Sequence, residues 1–197
     1  MPNDAHTFLF MDLVGFTALT AERGDDSAAE VALRLYAHVR KLLPAHAGEE
    51  IKTIGDAMMI RCEDPGRAVD LGLRISEQIA EADGFPPVRI AVHTGSAVSR
   101  DGDWYGNAVN VAARLCSAAG GGEVLVSDAA REAAGRPRHI SFGARQLHWL
   151  KNVPEPVAAF SVERHECSTP RRPLRELARM VRGAPAGVSV RYSEVTG

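Results

Sequence analysis

The sequence predicts an α/β sandwich of the ferredoxin-like kind, a βαββαβ core with further strands and helices appended. Three observations predict it. Short apolar runs alternate with stretches of helical periodicity, their order over residues 7–94 is β-α-β-β-α-β, and Gly and Pro punctuate the joints. At 197 residues the chain is long enough for one domain with a substantial core and too short for two full ones.

Each element has a local reason. Thr7 to Met11 is a short apolar run ending at Asp12 and followed by Gly15, which reads as a buried strand leaving the core at a functional edge. From Ser27 to Leu43, Val31, Leu35, Val39 and Leu42 keep helical spacing, and Pro44 stops the pattern. Glu50–Thr53 and Ala57–Ile60 flank Ile54-Gly55-Asp56 as two strands joined by a tight turn, so Lys52 and Asp56 flank a hairpin tip. Asp64-Pro65 opens a second helix through about Ala82, with Ala68, Leu71, Ile75 and Ile79 as its apolar stripe. Val88–Thr94 is a strand, about Gly106–Ala119 a helix, Glu123–Ser127 a strand and Asp128–Ala134 a helix. Strands follow near 138–142, 146–150 and 157–162.

Past Arg164 the composition changes. Residues 165–197 carry Pro170, Pro173, Pro185 and six arginines, so the expected division is a domain over 1–164 and a tail over 165–197. The tail reads as a basic linker, or as a helix over Pro173–Arg182 that docks on the domain or a partner through Leu174, Leu177 and Val181. A formal net charge of −2 gives no reason to expect nucleic acid or an acidic membrane surface as partner. Three widely spaced cysteines without metal-ligand spacing fit a reduced, cytoplasmic protein. The polar start, Met1 to His6, lacks a signal-peptide pattern, and no apolar run approaches the roughly 18 residues of a membrane span.

The residues that carry chemistry fall in three segments. Asp12 and Asp56 each end a predicted strand region beside a glycine, Gly15 or Gly55, and two carboxylates suit Mg²⁺, which keeps water and substrate phosphates as its other ligands. Two turn-capping aspartates would give the same pattern. Asp103, Asn110 and Arg114 lie within twelve residues, and on a helix Asn110 and Arg114 project from one face. Lys52 only donates hydrogen bonds and ionised Asp103 only accepts them. Together they match the N1 acceptor and 6-amino donor of adenine and mismatch guanine twice, at roughly 1–3 kcal/mol for each unpaired buried group. Trp104 reads equally as a purine-pocket wall or a core anchor, His93 as a core histidine, and Gly120-Gly121-Gly122 as a helix end and turn.

Phe10-Met11-Asp12-Leu13-Val14-Gly15-Phe16-Thr17, Ile51-Lys52-Thr53-Ile54-Gly55-Asp56 and the run from Asp103 to Arg114 resemble, in order and spacing, the three signature segments of the class III nucleotidyl cyclase catalytic domain. Arg89–Gly95, Gly122–Ser127 and Leu150–Val157 resemble bacterial members, and the likeness covers about residues 5–164. It implies the class III cyclase fold and an adenylyl cyclase that turns ATP into 3′,5′-cyclic AMP and pyrophosphate with two Mg²⁺ or Mn²⁺ ions per site. The implied metal site is Asp12 and Asp56 with Leu13. Lys52 and Asp103 would read the purine, Asn110 would orient the ribose, and Arg114 would stabilise the transition state. Backbone N–H groups of Leu13, Val14, Gly15, Phe16 and Thr17, and more weakly Lys151, would receive the phosphates. In the family the two residue sets come from different protomers, which implies a homodimer with two shared sites. A guanylyl or mixed-specificity cyclase, or a silent ATP-binding regulatory module, is the alternative.

Overall fold

The computed structural model describes residues 5–135 and 137–165, beginning with β1 (Ala5–Leu13). Phe8 and Phe10 pack to one side of β1 and Leu9, Met11 and Leu13 to the other, all buried, so this strand is covered on both faces. Gly15, at φ 80, turns the chain into α1 (Phe16–Arg23), and Gly24 separates that helix from α2 (Asp25–Leu42). The helix expected from Ser27 therefore begins at Asp25, and α1 is a distinct element before it. Pro44 ends α2 in a 3-10 turn, Pro44–His46, which leads into the hairpin of β2 (Gly48–Ile54) and β3 (Ala57–Cys62). At the head of α3 (Pro65–Glu81), the Asp64 carboxylate accepts the Arg67 N–H at 2.8 Å, an N-cap that also uses Pro65 in the first turn.

After β4 (Val88–Ser96) comes a small hairpin, β5 (Val98–Arg100) and β6 (Asp103–Tyr105), that the sequence reading did not anticipate. Gly106, expected as the first helical residue, instead caps α4 (Asn107–Ala118) in a backbone conformation, φ 145, open to glycine. Next come β7 (Val124–Ser127) and α5 (Asp128–Ala134), then β8 (Ile140–Phe142), β9 (Gln146–His148) and β10 (Val157–Arg164). β8 and β9 are shorter than expected, and β10 runs on to Arg164. The helix expected over 173–182 lies outside the described residues.

The main sheet runs β2-β3-β1-β4-β7-β10-β8, with β9 also on β10, and its first four strands have the antiparallel ferredoxin-like order. Among the described residues only β4 and β7 pair in parallel. One face packs against α2, α3 and α5 through Leu35, Leu71, Ile75 and Ala130; the other packs against α4 through Val111, Ala112 and Leu115. Each fully buried Leu or Ile contributes about 1.5–3 kcal/mol. No helix among the described residues is long and apolar enough to cross a membrane, and Cys62 and Cys116 are free and buried.

A charged cluster ties α3 to the far strand. Asp70 accepts from Arg164 at 2.7 Å and from His46 at 3.1 Å, and His139 lies 3.3 Å away. Burial raises Asp70, but Arg164 and then His46 outweigh it and hold the carboxyl below its ordinary range. A carboxyl more acidic folded than unfolded stabilises above the unfolded value of about 3.9 and loses that contribution as pH falls through the folded value. Asp70→Asn is expected to lower the melting temperature by about 2–4 °C at pH 7, the gap to wild type closing as pH is taken toward about 3. A gap independent of pH would remove Asp70 as an ionic anchor.

Candidate active site

Asp12 is the penultimate residue of β1 and sits directly opposite Arg89, the second residue of β4. Arg89 Nε donates to Asp12 Oδ2 at 2.9 Å and Nη2 makes a second contact to the same oxygen, while Nη1 donates to the Ser117 carbonyl of α4 at 3.2 Å. Asp56 follows Gly55, whose φ of 62 allows the β2–β3 reversal. The β1–β3 register, with Met11 opposite Met58, brings that turn beside Asp12. Burial, and after it the adjoining Asp12 carboxylate, push Asp56 up to about 6. Leu13 buries its side chain in the core, leaving only its backbone for the site. Among the described residues there is no group of three or more acidic, His or Cys side chains able to hold a metal. The two carboxylates, short of positive charge, fit a hard divalent ion that draws its remaining ligands from water and substrate.

A second pair forms at the edge of the sheet. Lys52 on β2 reaches Asp103 at the start of β6, with Nζ and Oδ2 2.5 Å apart, although 51 residues separate them. The backbone N–H of Trp104 donates to the other carboxylate oxygen at 2.7 Å. Those two bonds, Lys52 first, hold Asp103 below the usual carboxylate range. The Trp104 ring packs on His6 at 4.3 Å and Phe8 at 5.7 Å, with the Arg61 guanidinium 5.1 Å from its centroid, and so anchors the β5–β6 hairpin. His93 bonds Ser127 Oγ at 2.8 Å, and burial lowers it to about 4, as a core histidine.

Asn110 and Arg114 are exposed on the outer face of α4, whose other side buries Ala108, Val111, Ala112 and Leu115. The first turn of α1 has no side-chain cap, so the amides of Phe16 and Thr17 remain available to an anion. Val14 does not: its N–H donates to the Pro87 carbonyl at 2.8 Å, which removes it from the expected phosphate cradle. Lys151 is exposed in the turn between β9 and β10. Among the described residues no hydrogen bond or ion pair joins Asp12 and Asp56 to the Lys52–Asp103 pair or to Arg114.

The family model of the adenylate and guanylate cyclase catalytic domain matches residues 1–151. The chain belongs to that family. It is 44% identical over 129 residues to a pH-sensitive adenylate cyclase of Mycobacterium tuberculosis, covering 66% of this chain and 32% of that protein. An adenylate cyclase of Streptomyces coelicolor is 34% identical over 129 residues, covering 66% and 34%. This cyclase-family chain thus spans about a third of the length of these curated relatives. Its fold superposes on an adenylate cyclase from Trypanosoma brucei, described in its monomeric state, with a TM-score of 0.76 at 24% identity, covering 82% of this chain and 89% of that one.

Two residues beside the acidic pair escaped the sequence reading. Arg89 had a signal, a cation at the start of a strand that could pair with β1. Tyr36 had none, being one more apolar position on the α2 stripe; its hydroxyl donates to the Gly55 carbonyl at 2.5 Å. Burial, then the charges of Asp56 and Asp12, push that phenol up to about 12. Because two carboxylates share one cation, Asp56→Asn without added metal at pH 8 is expected to melt about 2–4 °C above wild type. Equal or lower melting would mean that Arg89 already neutralises the pair.

Proposed function

We propose that residues 1–164 form the catalytic domain of a cytoplasmic adenylyl cyclase that converts ATP to 3′,5′-cyclic AMP and pyrophosphate. The observation that carries this reading is the contact of Lys52 with Asp103, a fixed donor beside a fixed acceptor. Adenine inserted at that pair gives Lys52 an acceptor at N1 and Asp103 a donor at the 6-amino group. Guanine would leave both groups facing their own kind, which costs roughly 1–3 kcal/mol each.

In the reaction the ribose 3′-oxygen forms a bond to the α-phosphorus as the bond to the oxygen bridging to the β-phosphate breaks, pyrophosphate leaves with that oxygen, and the proton of the 3′-hydroxyl passes to water. Asn110 holds the ribose so that this oxygen stands in line, and the rate gain is largely one of positioning. Arg114, exposed and unpaired among the described residues, meets the charge that grows on the α-phosphoryl oxygens. The Gly15, Phe16 and Thr17 amides receive the outer phosphates at the open end of α1, with Lys151 as a further cation. Asp12 and Asp56, with the Leu13 backbone, hold two Mg²⁺ or Mn²⁺ ions. Bound there, the ions supply acidification of the 3′-hydroxyl and neutralisation of the leaving pyrophosphate. Arg89 then no longer carries the whole counter-charge of Asp12.

The two halves, which make no bond to each other among the described residues, meet in this reading across a twofold axis in a homodimer with two shared sites. Asp12→Ala and Arg114→Ala are each expected to lose cyclase activity at least about 100-fold. Mixed in equal amounts with subunit exchange, they should recover about a quarter of wild-type activity, from one intact site in each heterodimer. No recovery despite demonstrated exchange would rule out shared sites. Lys52→Glu should depress ATP turnover far more than dimerisation, read by cyclic-nucleotide assay and sedimentation. Product from GTP at a rate comparable to ATP would support the guanylyl or mixed reading, and binding without product the silent one.

A further inference from the structure

α2 grips the β2–β3 hairpin at two points one helical turn apart. Near its base, Arg40 donates from Nε and Nη2 to the two carboxylate oxygens of Glu50, at 2.6 and 2.7 Å. At its tip, the Tyr36 hydroxyl lies 2.5 Å from the Gly55 carbonyl oxygen and 3.5 Å from that of Ala57. These are the carbonyls immediately before and after Asp56, so one buried phenol brackets the residue. Tyr36 is only 4% exposed, and its single proton goes to the nearer acceptor, Gly55. Nothing in the core requires that oxygen: a phenylalanine would fill the same apolar space against α2 and the sheet. The hydroxyl therefore acts on the turn. Two neighbouring carboxylates repel when no cation lies between them, and the turn that carries Asp56 is the part free to yield, because Asp12 is built into a central strand.

We propose that Tyr36 is a positioning residue of the metal site: its hydroxyl fixes the Gly55–Ala57 turn so that Asp56 stays beside Asp12 against their mutual repulsion, ready for a divalent cation. This inference rests on the reading of Asp12 and Asp56 as cation ligands. Its consequence is specific. Removing the hydroxyl should weaken cation binding, while the chemistry at saturating cation should survive, because the ion itself can then draw the two carboxylates together.

The test uses the full chain and Mn²⁺ alone, with free Mn²⁺ followed by electron paramagnetic resonance and cyclase activity measured as a function of Mn²⁺ at fixed ATP. Tyr36→Phe is expected to raise both the dissociation constant for Mn²⁺ and the concentration giving half-maximal activity by about three- to tenfold, the worth of one hydrogen bond. Turnover at saturating Mn²⁺ should stay within about twofold of wild type. Leu35→Ala, a truncation of the neighbouring fully buried residue, serves as the packing control and should lower the melting temperature while leaving Mn²⁺ affinity unchanged. Tyr36→Phe that melts lower, binds Mn²⁺ as wild type does and loses turnover at every Mn²⁺ concentration would overturn the proposal by making Tyr36 merely structural. Wild-type protein that binds no Mn²⁺, with Asp56→Asn indistinguishable from it, would overturn the ligand reading itself and the role of Tyr36 with it.

Discussion

The register of β1 between β3 and β4 is the constraint on which the rest of the site depends. Met11 opposite Met58 and Asp12 opposite Arg89 set the acidic pair and its counter-ion in one stroke, and both neighbours are antiparallel, so neither can slide without the other. Side-chain direction alternates along a strand. A slip of one residue would turn Asp12 to the face that Leu9, Met11 and Leu13 now occupy and bury an unpaired carboxylate in the main core. Burial of β1 on both faces makes that slip costly, because it would also expose or overpack five apolar side chains. The core thus fixes the geometry of a polar site at its edge.

Within that frame several half-buried carboxylates have cations of their own, and the acidic pair at the end of β1 has less. Lys52 and Asp103 neutralise each other, Glu50 has Arg40, and Asp70 has Arg164 with His46. Among the described residues Arg89 is the one cation paired with Asp12, Asp56 has no ion pair of its own, and burial and this crowding raise Asp56 to about 6. A pair that served only to cap a turn would gain nothing from such crowding. An arrangement that costs stability in the isolated chain is of the kind found where a ligand supplies what is missing.

How much of this was legible depends on the distance over which each feature is determined. α3 falls within a residue or two of its expected bounds because Asp64-Pro65 marks its start and the apolar stripe does the rest, and α5 spans Asp128–Ala134 as expected. Asp56 could be placed at a turn because Gly55 beside it demands one. The β5–β6 hairpin was invisible: three-residue strands contain too little alternation to read, and β5 is exposed throughout. Arg89 reaches Asp12 across 77 residues and the Tyr36 hydroxyl reaches Gly55 across 19, and neither contact has a spacing rule. The loss of Val14 from the phosphate cradle has the same origin, since its amide is claimed by Pro87 from a distant loop. Residue identity declared the chemistry; only the folded sheet declared which groups are already spoken for.

The hairpin of β2 and β3 also links groups that the shared-site reading assigns to different active sites. Lys52, opposite Met59 in the hairpin, contacts Asp103, whereas Asp56, four residues on, stands beside Asp12. Both ride on a segment that α2 grips through Arg40 and Tyr36. A shift of that hairpin large enough to separate Asp56 from Asp12 would therefore also move Lys52 against Asp103. In the proposed twofold dimer the first change would fall in one site and the second in the other, and the hairpin would be a short mechanical connection between them. Cation arrival at one site and base recognition at the other would then share a free energy through a single element, without any rearrangement of the core.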